Sequence, residues 1–297
     1  MFQPNKQYFV SSAFDRLILM DFVNSVIFFD SLIRVYIFIG LGLTFWLLSK
    51  YCPMKEYLNL RIKLSDYFFI FTALIIAALY ELLVTPVIHY FLNDSTELLS
   101  LLKQAVNQWG LWFQIPAYFL VTDFLGYWFH RLMHSRVFWR VHAFHHSIQS
   151  LNWIAGVRGS PIHILLVILP SMLASSIFLL SDQTLAFYVV VFIDICSQHL
   201  THSNVYLPYA RQLEYFLVTP RMHFIHHHID EKYGGSNFGF YFSIWDHLFG
   251  TYVDAGCVQE KGRLGLSTEY STSSMFWGWA LKEKVTRDQM PIEPKGI

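Results

Sequence analysis

The chain has 297 residues, of which 54% are hydrophobic, 18% are aromatic and only 14% are charged. Soluble domains carry nearer a quarter of charged residues, so this composition is typical of an integral membrane protein. The formal net charge is zero, which gives no general attraction to nucleic acid. The three cysteines are too few and too irregularly spaced to predict a disulfide framework or a metal knuckle.

Five apolar windows approach the roughly 20 residues that a membrane-spanning helix needs. In chain order they are residues 31–49, 67–92, 111–130, 161–180 and 185–200. Pro86 is expected to kink the far end of the second window. Glu81, inside that window, either lines a substrate path or pairs with a neighbour. Residues 17–30 are apolar but interrupted by Asp21 and Asn24, and we interpret them as an interfacial helix.

The basic residues predict an orientation in the membrane. Loops 50–66 and 131–160 each contain four Lys or Arg residues, whereas loop 93–110 contains only Lys103. The positive-inside rule therefore predicts that 50–66, 131–160 and 201–297 face the cytoplasm. Two apolar windows separate the last two regions, so both are expected on the same side of the membrane.

Eight histidines form three short boxes after the third and fifth windows. They are His130 and His134, then His142, His145 and His146, then His223, His226 and His227. Positions i, i+3 and i+4 share a helix face, so each box is expected to aim two or three imidazoles at a common point. Imidazole is the commonest protein metal ligand, and eight ligands are too many for one ordinary centre. Divided between two metals, they leave open positions, which favours a catalytic dinuclear centre.

Polar residues inside the apolar windows are candidates for supporting this centre. Carboxylates are expected to offset the charge of two divalent ions and to orient the rings. Asp123 precedes His130 by seven residues, two helical turns on the same face. A stripe at i, i+4 and i+8 of the fifth window contains Asp194, Gln198 and His202. The spacing leaves either His202 or His199 as a ninth ligand, and the alternative for both acids is pairing within the helix bundle.

The remaining histidines carry weaker signals. His89, His163 and His247 stand alone and are expected to be ordinary satisfied polar residues. His228 directly follows the third box. It is a ligand, a partner of a ligand or a surface residue.

The order HRLMH, HAFHH and HFIHH resembles the fatty acid hydroxylase / sterol desaturase superfamily of membrane di-iron oxygenases. The flanking segments DFLGYWFHRLMH, VFWRVHAFHHSIQSLN and GGSNFGFYFSIWDHLFGTY also resemble that family, and the similarity covers about residues 118–252. Two departures stand out. Phe238 or its neighbours occupy the place of the usual Tyr-Gly, and Ser160 replaces a family histidine in Arg158-Gly-Ser-Pro161. His163, two residues beyond Pro161, is not a clean substitute.

This resemblance implies two iron ions, activation of dioxygen, and hydroxylation or desaturation of a lipid such as a sterol, fatty acyl chain or ether lipid. It favours His202 over His199, because a family ligand stands directly before Ser203-Asn204. The ligands that it implies are His130, His134, His142, His145, His146, His202, His223, His226 and His227.

The expected fold is an all-α integral membrane protein with about four to five transmembrane helices and a cytoplasmic, histidine-rich helical cap that holds the dinuclear site. We divide the chain into an N-terminal membrane region (1–110), a di-iron domain (111–252) and a cytoplasmic C-terminal tail (253–297). Residues 288–297 are expected to form a loose end.

The predicted reaction consumes electrons, and the sequence has no dinucleotide-binding fingerprint, since Gly234-Gly235 lacks the required spacing. An external donor is therefore expected, such as a b-type cytochrome or a ferredoxin with its reductase. One alternative is a zinc-dependent membrane hydrolase, although no box contains an acid/base glutamate. The other is a metal transporter, whose ligands should lie at the membrane midplane rather than at one face.

Overall fold

The computed structural model describes residues 13–57, 64–93, 97–178, 184–258, 261–268 and 270–278. Regular structure in these residues is helical, and extended pairing there is limited to one bridge between His228 and Leu264. The helices are α1 (Ala13–Tyr51), α2 (Leu64–Leu83), α3 (Thr85–Asn93), α4 (Glu97–Asn107), α5 (Leu111–Met133), α6 (Trp139–His146), α7 (Pro161–Ser175), α8 (Thr184–His202), α9 (Ala210–Leu213), α10 (Pro220–His226), α11 (Glu231–Gly234), α12 (Ile244–Leu248) and α13 (Thr272–Trp277). The predicted all-α class is confirmed for this part of the chain.

Three helical segments are long and apolar enough to cross a membrane: Leu32–Tyr51, Leu64–Ile88 and Leu185–His202. They correspond to the first, second and fifth predicted windows. The fourth window forms α7, which is apolar but has only 15 residues. The third forms α5, which has 23 residues but buries polar side chains such as Gln114 and Asp123. Length and composition thus support three spans within the described residues, where the sequence predicted about four to five.

One helix boundary differs from the sequence interpretation, and another agrees with it. Residues 17–30 are not a separate helix, because α1 continues through Asp21 and Asn24 for 39 residues. Polar residues lower helix propensity only slightly, so they do not end a helix as Pro or Gly can. The predicted kink near Pro86 is present as the break between α2 and α3 at Val84. Proline has no N–H to donate to the preceding turn, which explains the break.

Helix packing brings the ends of α5 and α8 close to α6 and α10. Helix α7 packs on α5 and α2, while α8 packs on α1 and α10. His130 lies in the last turn of α5, and His202 is the last residue of α8. The histidine boxes therefore meet at one end of the helices. Glu81 lies away from this region and forms an ion pair with Arg34 at 3.6 Å.

A hydrophobic core beside the boxes joins distant parts of the chain. It comprises Met54, Tyr57, Ile148, Leu151, Ala155, Phe224 and Leu264. Residues after 252, interpreted from sequence as a tail, contribute to this packing where the structure describes them. Val258 packs on Ile225, and Phe276 of α13 packs on Phe144 and Phe69. Apolar burial holds this segment against the helices that carry the second and third histidine boxes. Residues 288–297 lie outside the described residues.

Candidate metal centre

Five of the predicted ligands form one group at the end of α5. One ring nitrogen from each lies within 4.8 Å of one from every other member. Four of the five side chains are buried, and His134 is partly exposed. The members of this five-histidine group are His130, His134, His142, His146 and His226.

The other four predicted ligands form a second group directly beside the first. Their ring nitrogens also lie within 4.8 Å of one another, and all four side chains are buried. The members of this four-histidine group are His145, His202, His223 and His227. The two groups touch, since the rings of His146 and His227 stack with centroids 4.3 Å apart. The structure thus brings together all nine residues named from the sequence, and their role as ligands remains a prediction.

Each box places two imidazoles in the same group, as the sequence analysis expected of two or three, and the third histidine of the two longer boxes joins the other group. In the second box, His142 and His146 join the five-histidine group, while His145 joins the four-histidine group. In the third box, His223 and His227 join the latter group and His226 joins the former. The reason is helix geometry. At about 100° per residue, i+4 lies about 40° to one side of i and i+3 about 60° to the other. Each His-x-x-His-His box therefore serves both groups.

Proline and hydroxyl caps fix where two of the supporting helices begin. Helix α10, which carries the third box, starts at Pro220, and the Thr219 hydroxyl accepts a hydrogen bond from Met222 N at 3.3 Å. Helix α7 starts at Pro161, and the Ser160 hydroxyl accepts from His163 N at 3.2 Å. A capping hydroxyl followed by proline is a favourable helix start. Ser160, in place of the family histidine, is therefore a helix cap here.

Backbone carbonyls outside the two groups orient the imidazole rings. In the five-histidine group, His130 Nδ1 donates to Phe238 O at 2.8 Å and His226 Nδ1 to Ser236 O at 2.6 Å. In the four-histidine group, His145 Nδ1 donates to Arg158 O at 2.9 Å. His202 Nδ1 donates to Gln198 O at 3.0 Å. Each bond places the proton on Nδ1 and leaves the Nε2 lone pair facing inward.

The inward nitrogens fit metal ions. The Nε2 atoms of His202 and His223 lie 2.9 Å apart, and those of His130 and His142 lie 3.2 Å apart. Carbonyls hold the protons of His130 and His202 on Nδ1, so the Nε2 lone pairs of these two rings face a neighbouring Nε2 atom, a place that suits either a proton of the neighbouring ring or a cation. The buried Nε2 atoms of His134, His226 and His227 have no hydrogen-bond partner among the described residues, which also fits metal ligands.

Burial also keeps these rings neutral. Outside the predicted membrane windows, burial lowers the pKa of seven histidines well below the usual value, and neighbouring imidazoles lower it further. They are His134, His142, His145, His146, His223, His226 and His227. Because the neutral ring is the form that binds metal, the site does not need to lose protons at neutral pH.

Asp123, predicted to contact the ligands, instead holds the loop that orients them. Its carboxylate accepts hydrogen bonds from the backbone N–H groups of Phe240 and Phe242 at 2.8 and 2.7 Å, and from Tyr241 N at 3.2 Å. Asp246 accepts from the two preceding N–H groups, Phe238 at 2.7 Å and Gly239 at 3.0 Å. Two carboxylates thus hold five consecutive amides of the loop that supplies the carbonyl for His130.

The other two predicted supporting residues lie on α8. Asp194 accepts a hydrogen bond from the Tyr241 hydroxyl rather than from a histidine. Gln198 orients His202 through its backbone carbonyl, and its side chain lies against Gly156. A Cβ at position 156 would collide with both Gln198 and the His202 ring, so glycine is required there.

Sequence reasoning missed His163 and the pair formed by Arg158 and Asp66. His163 is buried, and its Nδ1 lies 2.8 Å from His142 Nδ1. In the tautomer that leaves His142 Nε2 free to bind a metal, His142 donates from Nδ1 and His163 accepts. Arg158 donates to Asp66 at 3.0 Å and to Phe144 O, and its own carbonyl orients His145. The altered Arg158-Gly-Ser-Pro161 motif was the available signal for these residues.

The remaining histidines lie outside both groups. His199 donates from Nε2 to Phe38 O at 3.1 Å and packs against Phe38, so His202 is the grouped member of that pair. His228 is buried, and its Nδ1 accepts from Asp230 N at 3.0 Å. His247 donates to Glu214 O at 2.8 Å, as expected of a satisfied polar residue. The side chain of His89 lies outside the described residues.

Two cavities reach the histidine groups from different directions. The inner cavity, about 120 Å³, lies between α5, α7, α8 and the 239–241 loop, and it contacts rings of both groups. The outer cavity, about 390 Å³, contacts only His134 and His146 of the nine. Trp139 and Arg136 line the outer cavity. The grouped histidines are therefore accessible from the helix bundle and from the opposite side.

The fold and the site define a class: an all-α, membrane-associated protein with two adjacent histidine groups that could hold metal ions. Residues 115–251 match the family model described as fatty acid hydroxylase. With the relatives below, this match shows that residues 115–251, a little under half of the chain, are similar to the fatty acid hydroxylase / sterol desaturase superfamily.

Three curated relatives illustrate the similarity. The ornithine lipid hydroxylase of Rhizobium tropici is 30% identical over 148 residues, covering 49% of this chain and 44% of that protein. The alkylglycerol monooxygenase of Homo sapiens is 31% identical over 155 residues, covering 52% and 33%. A methylsterol monooxygenase of Arabidopsis thaliana is 28% identical over 142 residues, covering 46% and 47%. The chain spans less than half the length of each. No solved structure matches it significantly.

Proposed function

We propose that this protein is a membrane-bound oxidoreductase that holds two iron ions and uses dioxygen to hydroxylate or desaturate a lipid. The observation that carries the proposal is the convergence of nine buried or partly buried imidazoles into two touching groups at the end of the membrane helices. The names of the relatives describe hydroxylases and monooxygenases of ornithine lipid, alkylglycerol and methylsterol, which supports a lipid substrate.

The histidines of each group would hold one metal ion. The outer carbonyls direct the Nε2 lone pairs of four of them inward, namely His130, His145, His202 and His226. Bound iron would supply activation of dioxygen and removal of hydrogen from a C–H bond. The imidazoles carry no charge, so the buried site accepts divalent ions without first losing protons. An all-imidazole set of five and four ligands leaves room for dioxygen, since iron accommodates up to six ligands.

The inner cavity admits the lipid. It opens among α5, α7 and α8, and its walls include apolar side chains from Val167, Ile168 and Phe240 beside the histidine rings. These side chains keep bulk water from the reacting carbon while leaving a route from the bilayer. The basic loops predict that the histidine groups face the cytoplasm, where an external electron donor, a b-type cytochrome or a ferredoxin with its reductase, reaches the outer side.

Metal analysis and labelled dioxygen test this function together. The protein purified in detergent is expected to contain about two iron ions per chain, from the ligand count. With a chemical reductant and a lipid extract, it should consume oxygen. Hydroxylation places ¹⁸O from ¹⁸O₂ in the lipid product, whereas desaturation yields an unlabelled, unsaturated product. Zinc as the retained metal, with lipid hydrolysis and no oxygen uptake, would instead support the hydrolase.

A further inference from the structure

The inner cavity has a polar wall facing the histidines. Its lining includes Asp194, Ser197, Gln198 and Thr201 from α8, together with Ser171 from α7. Polar groups placed between membrane helices cost free energy, so such residues usually indicate a functional site. The cavity volume is about 120 Å³, close to the roughly 150 Å³ that accommodates one benzene ring. It therefore accepts only the end of a lipid, and that end meets polar groups.

Three hydroxyls of this lining offer lone pairs and no free hydrogens, whereas the Thr122 hydroxyl and the Gln198 amide offer N–H or O–H groups. Ser171 donates to Ile168 O at 2.7 Å, and Thr201 donates to Ser197 O at 3.0 Å. Ser197 donates to Phe240 O at 3.4 Å. Because each hydroxyl hydrogen already has a protein acceptor, these oxygens can only accept from a bound molecule.

Asp194 adds the strongest acceptor. One carboxylate oxygen accepts from the Tyr241 hydroxyl, which uses the only hydrogen that Tyr241 could have offered to a ligand. Tyr241 belongs to the loop that Asp123 holds by three amides, so its position is fixed by the backbone. The second oxygen of Asp194 has no protein donor among the described hydrogen bonds.

We propose that the lipid end which enters this cavity carries a hydrogen-bond donor, a hydroxyl or an ammonium group, that donates to Asp194. The inference rests on the proposed function for the identity of the site and adds the chemical class of its substrate. A free carboxylate is disfavoured, because its charge would face the carboxylate of Asp194. The same small cavity contains the histidine rings, so the oxidised carbon lies within a few bonds of the donor group.

Binding of matched single-chain lipids tests this without turnover. Protein embedded in nanodiscs and loaded with zinc, which supports no redox chemistry, is titrated with radiolabelled dodecan-1-ol. Unlabelled 1-methoxydodecane, dodecylamine and dodecanoate then compete. The first differs from the alcohol by losing its donor hydrogen. We expect dodecan-1-ol and dodecylamine to bind about tenfold more tightly than 1-methoxydodecane and dodecanoate, the usual size of a hydrogen bond to a charged group.

Three variants separate recognition from a structural role. Asp194→Asn should reduce the preference for the alcohol over the methyl ether by about fivefold, since the charge-assisted bond is lost. Tyr241→Phe should keep or increase the preference, because the carboxylate loses its protein donor. Ile193→Leu, beside Asp194 on α8 but exposed, should leave it unchanged. If Asp194→Asn does not fold, the Tyr241→Phe result decides.

Equal binding of the alcohol and its methyl ether, or tighter binding of dodecanoate, would overturn the inference. Failure of dodecan-1-ol to bind would overturn it as well. The proposed function fails by a different measurement, the absence of lipid-dependent oxygen uptake by the iron-loaded protein. The two can therefore fail separately.

Discussion

The two histidine groups are built from the same boxes but supported by different parts of the chain. The five-histidine group is oriented by carbonyls of the 236–242 loop, whose amides are held by Asp123 and Asp246. The four-histidine group is oriented by the carbonyls of Arg158 and Gln198. The outer cavity reaches only the first group, through two of its members. One group thus has five histidines and a second opening, and the other has four histidines.

Removal of one ligand from each group should expose this asymmetry most strongly. His227→Ala leaves three histidines in its group, so we expect loss of about one of two metal ions and at least a 100-fold loss of lipid oxidation. His134→Ala leaves four histidines, so both metals should remain bound. The affinity of the five-histidine group for its metal should fall about 10- to 100-fold. Metal content and product formation measure both effects, with His247→Ala as the control outside the groups. Equal metal loss in His227→Ala and His134→Ala would contradict the proposed difference between the two histidine groups.

The backbone carbonyl of Arg158 orients His145 of the four-histidine group, and its side chain pairs with Asp66. Arg158→Met breaks this buried ion pair, which should destabilise the protein by about 3–5 kcal/mol. The double variant Arg158→Met/Asp66→Leu should be less destabilised than the single one, because no charge is left buried. Thermal unfolding in detergent checks this, with the exposed Arg140→Met as the matched control. A double variant that is no more stable than Arg158→Met would argue against the pair.

Replacement of Asp246 should weaken metal binding at the five-histidine group more than at the four-histidine group. Asp246→Asn weakens the hold on Phe238 N and Gly239 N and so loosens the carbonyl that orients His130. We expect destabilisation of about 1–3 kcal/mol, the usual cost of disturbing a buried hydrogen-bonded charge. Metal should be lost from the five-histidine group before the other. Spectroscopic titration with cobalt distinguishes two sites of unequal affinity, and unchanged affinities in this variant would refute the role of the loop.

His163 should affect the five-histidine group through His142. Replacement by Leu removes the acceptor for His142 Nδ1–H, and the affinity of one metal should fall about 10- to 100-fold. His163→Gln, which retains an acceptor, should restore much of that affinity. A purely packing role for His163 would give similar affinities in the Leu and Gln variants.

The pH dependence of stability should separate the metal-free from the metal-bound protein. Folding lowers the pKa of the buried histidines below their unfolded value of about 6.5. Their contribution to stability is therefore complete above that pH and is lost as the pH falls through it, because the unfolded chain binds more protons. The melting temperature of metal-free protein should decrease steadily from pH 7 to pH 5. Metal-bound protein should change less until protons displace the metal.

Much of the site was predictable because helical spacing and the order of the boxes encode it. The i, i+4 relation brings two histidines of each box together, and the structure groups His202, which the resemblance favoured over His199, with the boxes. The sequence analysis did not state that the third histidine of each longer box serves the other group, although this follows from the same helix geometry.

The supporting contacts were not predictable, since they depend on tertiary backbone positions. Asp123 has the predicted location but acts on loop amides 117 to 119 residues away in the chain. Phe238 departs from the family pattern in its side chain, yet the structure uses its carbonyl, which any residue supplies. Three of the five predicted windows form helices that are long and apolar enough to span a membrane within the described residues, and the count of four to five spans stays a prediction.

Metal stoichiometry by group tests the central claim most directly. Purified wild-type protein should bind about two iron ions per chain, and His227→Ala should bind about one. The residual ion should keep the affinity of the five-histidine site. A wild-type stoichiometry of one, or full retention of two ions after His227→Ala, would contradict the assignment of nine histidines to two metal sites.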